Sequence, residues 1–359
     1  MPSLTDSLPQ LRSHVDDATL SLCDELLSQL ASTLASQELH EAALRQVTGG
    51  KRFRGIFALL GAELVSPEKD APLALAAALE FYQASALAHD DLIDHASTRR
   101  GQPTPHVAFT ALHRERHWSN NPQNFGTASA ILLGDLLLSL AEMALGQQCR
   151  TLASQDVHRL RHRFSAMHAQ VTIGQYMDIR AEHLPLDDKD ATCVNFDDAI
   201  AVVERKAAHY SVVQPFLLGA TYAAAPSSTV DALEKVLLPW GIAFQLRDDD
   251  LGVFGQSTTT GKPAGDDLRE GKRTALLAIT WRNATTAERA VLRSVLGHAK
   301  ADPADIARAT RIVAERGKSE HEALITQLVE RGFEHLAEID SLPTETLAEV
   351  AQIVTHRSA

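Results

Sequence analysis

The chain has 359 residues, of which 45% are hydrophobic and only 5% aromatic, and it carries a net charge of −12. This charge argues against general nucleic-acid binding, which needs a basic surface. It also repels anionic substrates at long range, so a phosphate site must be built locally from metal ions and clustered basic side chains. The low numbers of glycine (19) and proline (14) favour long helices over turn-rich β architecture.

The cysteine pattern and the N-terminus bear on the compartment. Cys23, Cys149 and Cys193 show no CxxC spacing, which is typical of reduced thiols in a cytoplasmic protein. The N-terminus lacks a basic segment leading into an apolar run, and no uninterrupted apolar stretch approaches the roughly 18 residues of a membrane span. We therefore expect a cytoplasmic chain with no secretory signal and no stable membrane span.

Helical periodicity dominates the chain. The apolar spacing predicts helices over residues 15–47, 54–66, 71–96, 127–147, 152–182, 197–223, 228–255, 273–282, 286–299, 303–315, 318–338 and 343–356. Loops are predicted at 113–126, 183–196 and 255–272, and the last of these is a candidate lid. Strand signals are weak and no linker divides the chain, so the sequence predicts one all-α domain over residues 1–359.

An acidic cluster, His-Asp-Asp-Leu-Ile-Asp, occupies residues 89–94. At about 100° per residue, Asp90 and Asp94 lie on nearly the same face of a helix, whereas Asp91 is rotated away. Crowded carboxylates repel one another, and their hard oxygen atoms suit Mg²⁺ that bridges to a phosphorylated substrate. The pattern predicts that Asp90 and Asp94 bind one or two cations, and that Asp91 acts as a salt-bridge partner or from outside the metal's ligands.

A second acidic cluster occupies residues 248–250. Asp248 shares a helix face with position 252, but that position is Gly252, and Asp250 points almost oppositely. This site is therefore expected to supply fewer direct ligands, Asp248 with water, and Gln245 lies one turn before Asp248 as a substrate-binding candidate. An isolated acidic run is often a solvated helix face, but both clusters follow strongly apolar runs, which favours a functional interpretation.

Basic side chains accompany both clusters. Residues 49–55 read Gly-Gly-Lys-Arg-Phe-Arg-Gly and place three bases at the opening of a helix, where backbone amides favour anions. Gln83, two turns before Asp90 on the same helix face, can donate a hydrogen bond to an anion there. The remaining basic candidates are Arg99, Arg100, Lys206, Lys262 and Lys272.

With these segments the sequence resembles the trans-isoprenyl diphosphate synthase (polyprenyl synthetase) family, most of all its short-chain geranylgeranyl and farnesyl diphosphate synthases. The matching segments run in family order over roughly residues 45–275: GGKRFR, HDDLID, RRGQ, LLGD, GQYMD, the Lys206 segment, FQLRDDDLG, TGKP and EGKRT. The resemblance implies an all-α, isoprenoid-synthase-type bundle around a deep central cavity, usually a homodimer. It also implies condensation of isopentenyl diphosphate with dimethylallyl, geranyl or farnesyl diphosphate, with three magnesium ions, manganese being an alternative.

The resemblance further implies residue roles. Isopentenyl diphosphate would be bound by Lys51, Arg54, Gln83 and Arg100. Two magnesium ions would be bound by Asp90 and Asp94, and a third by Asp248. The allylic diphosphate would be contacted by Arg99, Lys206 and Lys262, flanked by Gln175 and Asp178, with Lys272 closing the site. The expected catalytic set is then Asp90, Arg99, Gln175, Lys206 and Lys262.

The chain departs from the family pattern at three positions. Gln83 stands where many bacterial members have His, and it still donates a hydrogen bond. Ala207 follows Lys206 in place of the usual Thr, which removes one hydroxyl contact. Gly252 replaces the last Asp of the second cluster, which is expected to weaken metal binding there without removing an indispensable group.

Product length is a question of cavity depth along the helix that bears Asp90. Ser85 and Ala86, about one turn before Asp90, are small and should not block a growing chain. Tyr82, two turns before Asp90, with Phe81 beside it, is bulky enough to form a floor, although buried aromatics usually just pack in the core. One turn is ~5.4 Å, comparable to one isoprene unit, so the expected product is geranylgeranyl diphosphate.

Rival functions remain at this stage. A farnesyl or longer polyprenyl diphosphate synthase differs only in cavity depth. A class I terpene cyclase would need an Asn/Ser/Glu metal triad where this chain has residues 248–250, and would have no use for Lys51 and Arg54. A regulatory subunit of a heteromeric synthase could lose motifs that this chain keeps, and a ferritin-like di-iron bundle predicts Glu-x-x-His pairs that the sequence lacks.

Overall fold

A computed structural model of the chain describes residues 4–30, 32–255, 265–298, 300–339 and 342–355. The described residues are overwhelmingly helical, which confirms the predicted all-α class. The α-helices are α1 (Leu4–Ser28), α2 (Leu34–Val47), α3 (Phe53–Val65), α4 (Leu73–Ile93), α5 (Pro105–Glu115), α6 (Pro122–Gln148), α7 (Ser154–His183), α8 (Phe196–Val202), α9 (Gln214–Tyr222), α10 (Ser227–Phe254), α11 (Asp266–Glu270), α12 (Ala275–Asn283), α13 (Thr286–Val295), α14 (Pro303–Arg316), α15 (Lys318–Ala337) and α16 (Thr344–Thr355).

Three shorter kinds of element complete the described chain. A 3₁₀ turn covers Cys149–Thr151, and a π-helix covers Val203–Val213 between α8 and α9. Strands β1 (Thr98–Arg99) and β2 (Gln102–Pro103) pair antiparallel as a minimal hairpin. The helices group into two compact units, Met1–Arg161 with Pro215–Ala225, and His162–Gln214 with Pro226–Ala359. The assignment of residues 1–359 to a single functional domain stays a prediction.

The first unit is built around α4, which packs against α1, α3 and α6. Phe81 of α4 and Leu137 of α6 are fully buried in this core. Two glycines let the backbones of α3 and α9 touch, because a Cβ at Gly61 would lie 2.0 Å from the Phe216 carbonyl oxygen and one at Gly219 would lie 1.9 Å from that of Ala58. The rigid packing of α3 and α4 fixes the two helix ends that carry the site residues of this unit.

The second unit is built around α10, which packs against α15, α16 and the π-helix. Trp240 of α10 is fully buried, and its Nε1–H donates to the carbonyl oxygen of Val329 at 3.2 Å. Gly332 admits the indole ring, since a Cβ there would lie 2.2 Å from Nε1. This anchoring sets the position of the acidic C-terminal turns of α10.

Several predicted element bounds are wrong in instructive ways. The predicted helix 15–47 starts at Leu4 and is two helices, and the second is capped by Thr33 and Ser36 in a reciprocal capping box. The predicted loop 113–126 is too long, because α5 extends to Glu115 and α6 begins at Pro122. Helix α5 itself was missed, although it carries Val107, Phe109 and Leu112.

The other two loop predictions fare differently. The loop at 183–196 is confirmed, because α7 ends at His183 and α8 begins at Phe196. Most of the candidate lid, residues 256–264, lies outside the described residues. Its last part forms the short helix α11, which runs between Gly265 and Gly271, two glycines with φ of 76° and 83°. A left-handed conformation of this kind suits glycine at both ends of a short helix.

One helix passes a length and composition test for crossing a membrane among the described residues. It covers Pro122–Thr151, and its most apolar 18-residue window has a mean hydropathy of 1.7 with 44% of the window buried. Polar side chains such as Asp135 and Glu142 interrupt this segment, so it is not an uninterrupted apolar stretch of the kind that the sequence analysis excludes. Core helices of soluble proteins pass the same test, so the finding is weak evidence for a span.

Candidate active site

The first acidic cluster lies at the C-terminal end of α4. The Asp94 N–H donates to the Asp90 carbonyl oxygen at 2.8 Å, which places these two residues one helical turn apart, as predicted. Three carboxylates near a helix C-terminus are repelled by the negative end of the helix dipole. Such an arrangement requires compensating positive charge, and the neighbouring hairpin supplies part of it.

The β1–β2 hairpin presents Arg99 to this cluster. Its Nε donates to Asp91 Oδ1 at 2.7 Å, and its Nη2 lies 2.7 Å from the same oxygen and 3.5 Å from Asp90 Oδ2. Arg100 and Gly101 form the two-residue turn with φ of 52° and 75°, the left-handed conformation that tight hairpins need. The predicted salt-bridge role of Asp91 is thereby confirmed.

Asp91 is almost completely buried, with 1% exposure. Burial raises the pKa of this carboxyl, and the Arg99 charge and hydrogen bond oppose that rise. Its second oxygen, Oδ2, has no hydrogen-bond partner among the described residues. Asp91 therefore holds Arg99 in place, while Asp90, with 26% of its side chain exposed, remains accessible to a ligand.

His89 joins the acidic end of α4 to α6. Its Nε2 lies 3.3 Å from the carbonyl oxygen of Ile131 and 3.6 Å from Asp135 Oδ1. Gly134 makes room for the ring, because a Cβ there would lie 2.2 Å from Nε2. This glycine belongs to the LLGD segment, so the packing of the His89 ring explains why a glycine stands there. His89 supports the acidic end of α4 by its contact with α6.

The Gly-Gly-Lys-Arg turn before α3 gathers basic side chains within the same unit. Lys51 is exposed and Arg54 is half-buried in the first turn of α3. The Arg100 guanidinium lies against Gly50, whose Cβ position would be 3.1 Å from Nη2. Partial burial lowers the pKa of Arg100, and the positive charges of Arg99, Arg52 and Arg54 lower it further. The turn is thus a concentrated cationic surface, with Gln83 half-buried on α4.

The candidate floor residues all lie on α4. Phe81 is fully buried, Tyr82 is 6% exposed, Ser85 is 3% exposed and Ala86 is half-buried. Burial raises the pKa of the Tyr82 phenol, and the nearby charge of Arg54 opposes this rise. The phenol therefore lies within electrostatic range of Arg54.

In the second unit, the π-helix carries Lys206 against α7. Lys206 Nζ donates to Asp178 Oδ2 at 2.5 Å. Gly174 permits this approach, because a Cβ there would lie 2.6 Å from the Lys206 backbone nitrogen. Segments of π-helix are rare, and they are frequent at functional sites. The GQYMD segment thus combines a close-packing glycine, a half-buried Gln175 and the carboxylate partner of the lysine.

Lys272 approaches the same carboxylate from the segment after α11. Its Nζ lies 2.9 Å from Glu182 Oε1 and 3.9 Å from Asp178 Oδ2. The backbone of the segment is fixed as well, since the Lys272 N–H donates to the carbonyl oxygen of Asp267 at 3.0 Å. Two ammonium groups therefore converge on the acidic side of α7, where an anionic ligand can compete for them.

The three aspartates of α10 have separate environments. Asp249 is 6% exposed and accepts a hydrogen bond from Gln245 Nε2 at 3.0 Å. Burial raises the pKa of Asp249 well above its usual range, the Gln245 hydrogen bond opposes this, and the charges of Asp267, Asp248 and Asp178 add to it. Its Oδ2 has no hydrogen-bond partner within the described ranges. The predicted substrate-binding residue Gln245 thus supports an acid of the cluster.

Asp250, which was predicted to point almost oppositely to Asp248, is bound by side chains of α10 and α15. Its Oδ1 lies 3.0 Å from Nδ1 of the fully buried His321, and its Oδ2 accepts from Arg247 at 3.2 Å. Arg247 also donates to Glu322 at 2.6 Å. Asp250 therefore connects α10 to α15 and is not a ligand candidate.

Gly252 is explained by a carboxylate from α11. A Cβ at this position would lie 1.9 Å from Asp267 Oδ2, so the Asp267 side chain occupies the place of a side chain at residue 252. The last aspartate of the second family motif is absent at Gly252, and the carboxylate of Asp267 from α11 lies in its place. Lys262, the remaining predicted contact, lies outside the described residues.

The donor set fits magnesium that is completed by substrate. Among the described residues, no three Asp, Glu, His or Cys side chains converge to hold a metal ion by themselves. Magnesium usually takes only one or two protein carboxylates and fills its other positions with water and phosphate oxygens. The partly exposed Asp90 and Asp248 carboxylates are consistent with such a cation at each cluster.

Sequence reasoning overlooked the residues that support the site. Glu182 contacts Lys272, and Glu80 contacts Arg52 of the Gly-Gly-Lys-Arg turn. Asp267 lies against Gly252. Each of these acids is distant in sequence from its partner. Asp267 carried a usable signal, because it follows the second cluster within a loop already marked as a candidate lid. Glu80 and Glu182 stand in ordinary helical patterns that reveal nothing of their contacts.

Comparison with known proteins identifies the family. The model of the polyprenyl synthetase family matches residues 36–313, so the chain belongs to that family. The resemblance drawn from the sequence motifs and the prediction of a trans-prenyltransferase are both confirmed. This family condenses isopentenyl diphosphate with allylic diphosphates.

Individual relatives agree with this assignment. The chain is 30% identical over 302 residues to a geranylgeranyl diphosphate synthase of Saccharolobus solfataricus, covering 84% of each chain. It is 30% identical to a geranylfarnesyl diphosphate synthase of Aeropyrum pernix, covering 88% of this chain and 92% of the relative. A crystal structure of geranylgeranyl pyrophosphate synthase from Corynebacterium glutamicum, in complex with isoprenyl diphosphate and magnesium, matches with a TM-score of 0.88, at 35% identity over 98% and 99% of the two chains.

Proposed function

We propose that this chain is a geranylgeranyl diphosphate synthase that joins isopentenyl diphosphate to dimethylallyl, geranyl or farnesyl diphosphate and releases pyrophosphate. The observation that carries the proposal is the Arg100 guanidinium, which lies against Gly50 in the Gly-Gly-Lys-Arg turn that also holds Lys51. This turn gives the first unit a cationic site in addition to its acidic cluster. Two diphosphate-binding sites of different chemistry are what a condensation needs, whereas a terpene cyclase needs one.

Asp90 and Asp94 would hold two magnesium ions on the allylic diphosphate, and Asp248 a third. Magnesium, when bound, offsets the negative charge that grows on the leaving diphosphate. Arg99, fixed by Asp91, adds positive charge beside Asp90. Lys206, Lys262 and Lys272 contribute further positive charge to the same leaving group in this proposal.

The reaction has three steps. The allylic C1–O bond breaks and its electron pair leaves with the diphosphate. The double bond of isopentenyl diphosphate, held by Lys51, Arg54, Gln83 and Arg100, then forms a new C–C bond to the allylic carbon, and fixed positioning replaces much of the entropy cost. The proton lost from isopentenyl carbon 2 passes to the departing pyrophosphate, and Gln175 flanks the site as a neutral donor.

Incubation of the purified chain with labelled isopentenyl diphosphate and each allylic starter, with magnesium and with chelator, tests the proposal. We expect prenyl diphosphates only when both substrates and the metal are present, with manganese as the alternative ion. Hydrocarbon or alcohol products from an allylic diphosphate alone would show a cyclase instead. Absence of turnover by the single chain would favour a regulatory subunit.

Product length gives a separate prediction on α4. Ala86→Phe is expected to shorten the products, because the new ring enters a half-buried position one turn before Asp90. Tyr82→Ala is expected to lengthen them if Tyr82 forms the floor. Mass spectrometry of the products checks both changes, with Leu87→Phe as a control rotated by about 100° on the helix. Unchanged products from Tyr82→Ala would rule out Tyr82 as the floor.

We further propose that the chain works as a homodimer through α6. Ile131, Leu132 and Met143 on this helix are 43%, 60% and 40% exposed, an unusual density of apolar side chains at the surface of one helix. A second copy of the chain is the proposed occupant of this face, because a two-fold interface brings the same apolar patch of both copies together. Leu132→Glu is therefore expected to shift sedimentation towards a monomer, and Leu34→Glu, at a 67% exposed leucine of α2, serves as control.

A further inference from the structure

Arg52 lies between the two proposed isopentenyl diphosphate ligands Lys51 and Arg54 but turns the opposite way. Only 4% of its surface is exposed, whereas Lys51 is exposed and Arg54 half-buried. Its φ of 56° is left-handed, a conformation that strains any residue with a Cβ. Specific contacts must therefore hold Arg52 in place.

Three groups on three helices hold the Arg52 guanidinium. Nε donates to Asp16 Oδ1 of α1 at 2.6 Å, and Nη1 donates to Glu80 Oε2 of α4 at 3.2 Å. Nη2 donates to the carbonyl oxygen of Val47, the last residue of α2, at 2.5 Å. A planar guanidinium can make these bonds at once, whereas an ammonium group cannot match their geometry.

Glu80 connects this network to the start of α3. It is 6% exposed, and its Oε1 accepts the Gly55 N–H at 3.0 Å, one of the amides that a helix N-terminus leaves unpaired. Gly55 is also tightly packed, because a Cβ there would lie 2.5 Å from Val15 Cγ1. The network thus fixes both the turn and the first helical turn that carries Arg54.

We propose that Arg52, Glu80 and Asp16 are positioning residues of the isopentenyl diphosphate site, which hold Lys51 and Arg54 in the geometry that binds this substrate. The inference rests on the proposed function of that site. Glu80 precedes Asp90 by ten residues on α4, or about 15 Å along the helix. Loss of the network should therefore affect isopentenyl diphosphate far more than the allylic substrate.

Arg52→Lys and Glu80→Gln test the inference in steady-state kinetics. Each is expected to raise KM for isopentenyl diphosphate roughly tenfold, while KM for the allylic substrate and kcat at saturation stay within about threefold, since a small misplacement of binding groups is costly. Calorimetric titration with isopentenyl diphosphate alone should show the same weakening. The matched controls are Arg45→Lys and Glu41→Gln, an exposed ion pair of α2 with a 3.7 Å separation.

A merely structural network would behave differently. It would lower the melting temperature and the active fraction, with both KM values unchanged, and that result would overturn the inference. Asp16→Asn, at a carboxylate with 28% exposure, keeps the test available if the buried variants fail to fold. Failure of the wild-type chain to use isopentenyl diphosphate at all would instead refute the proposed function.

Discussion

Asp90→Asn is expected to lower kcat by about 10²- to 10³-fold, the usual effect of removing one group that stabilises charge in the transition state. The amide keeps the size of the side chain but offers a metal ion no negative charge. The magnesium concentration for half-maximal activity should rise as well. Initial rates measured across a magnesium series check both effects.

Neighbouring aspartates provide the contrast for this variant. Asp91→Asn is expected to disturb Arg99, because both Nε and Nη2 of Arg99 contact Asp91 Oδ1. The magnesium requirement of this variant should not change as it does for Asp90→Asn. Asp17→Asn, at an exposed position of α1, should leave activity unchanged. An equal magnesium shift in the Asp90 and Asp91 variants would contradict the assignment of Asp90 as the metal ligand.

The faces on which the aspartates of the acidic helices lie could be predicted because they depend only on local geometry. One turn separates Asp90 from Asp94, and the opposite rotation of Asp250 follows from the same 100° step. In the structure Asp91 contacts Arg99 and Asp250 contacts His321, which agrees with that geometry. Helical class and the loop at 183–196 were predictable for the same local reason.

The role of Arg52 could not be predicted because it depends on distant partners. In the sequence it is one of three bases at a helix start, equivalent to its neighbours. The structure separates it from them through Asp16 and Glu80, which lie 36 and 28 residues away. The π-helix that carries Lys206 could not be predicted either, since residues 203–213 have an ordinary helical pattern in the sequence. The close approach of Gly174 to Lys206 is visible only in the structure.

The departure at Gly252 shows how the missing information changes a prediction. The sequence analysis expects weaker metal binding because an aspartate is absent there. If that were the only effect, Gly252→Asp would strengthen metal binding. In the structure, the space is filled by Asp267, whose Oδ2 would lie 1.9 Å from a Cβ at residue 252. The two interpretations give opposite results for one substitution.

Gly252→Asp is therefore expected to impair the enzyme, with a fall in kcat of about 10²-fold. The new side chain overpacks the contact, at a typical cost of about 1–3 kcal/mol, and sets two carboxylates against each other. Kinetics and thermal unfolding measure the two effects. Gly146→Ala serves as the matched control, because its Cβ would meet nothing nearer than an ordinary 3.4 Å contact with Arg161.

An exchange of carboxylates makes the test decisive. Asp267→Ala alone should also reduce activity, since it empties the place that Gly252 leaves open. Combining it with Gly252→Asp should recover most of the loss, because the pair then again supplies one carboxylate to one location. Additive losses in the double variant would show that the two positions act independently, since coupled neighbours depart from additivity. A rise in activity from Gly252→Asp alone would restore the interpretation drawn from the sequence.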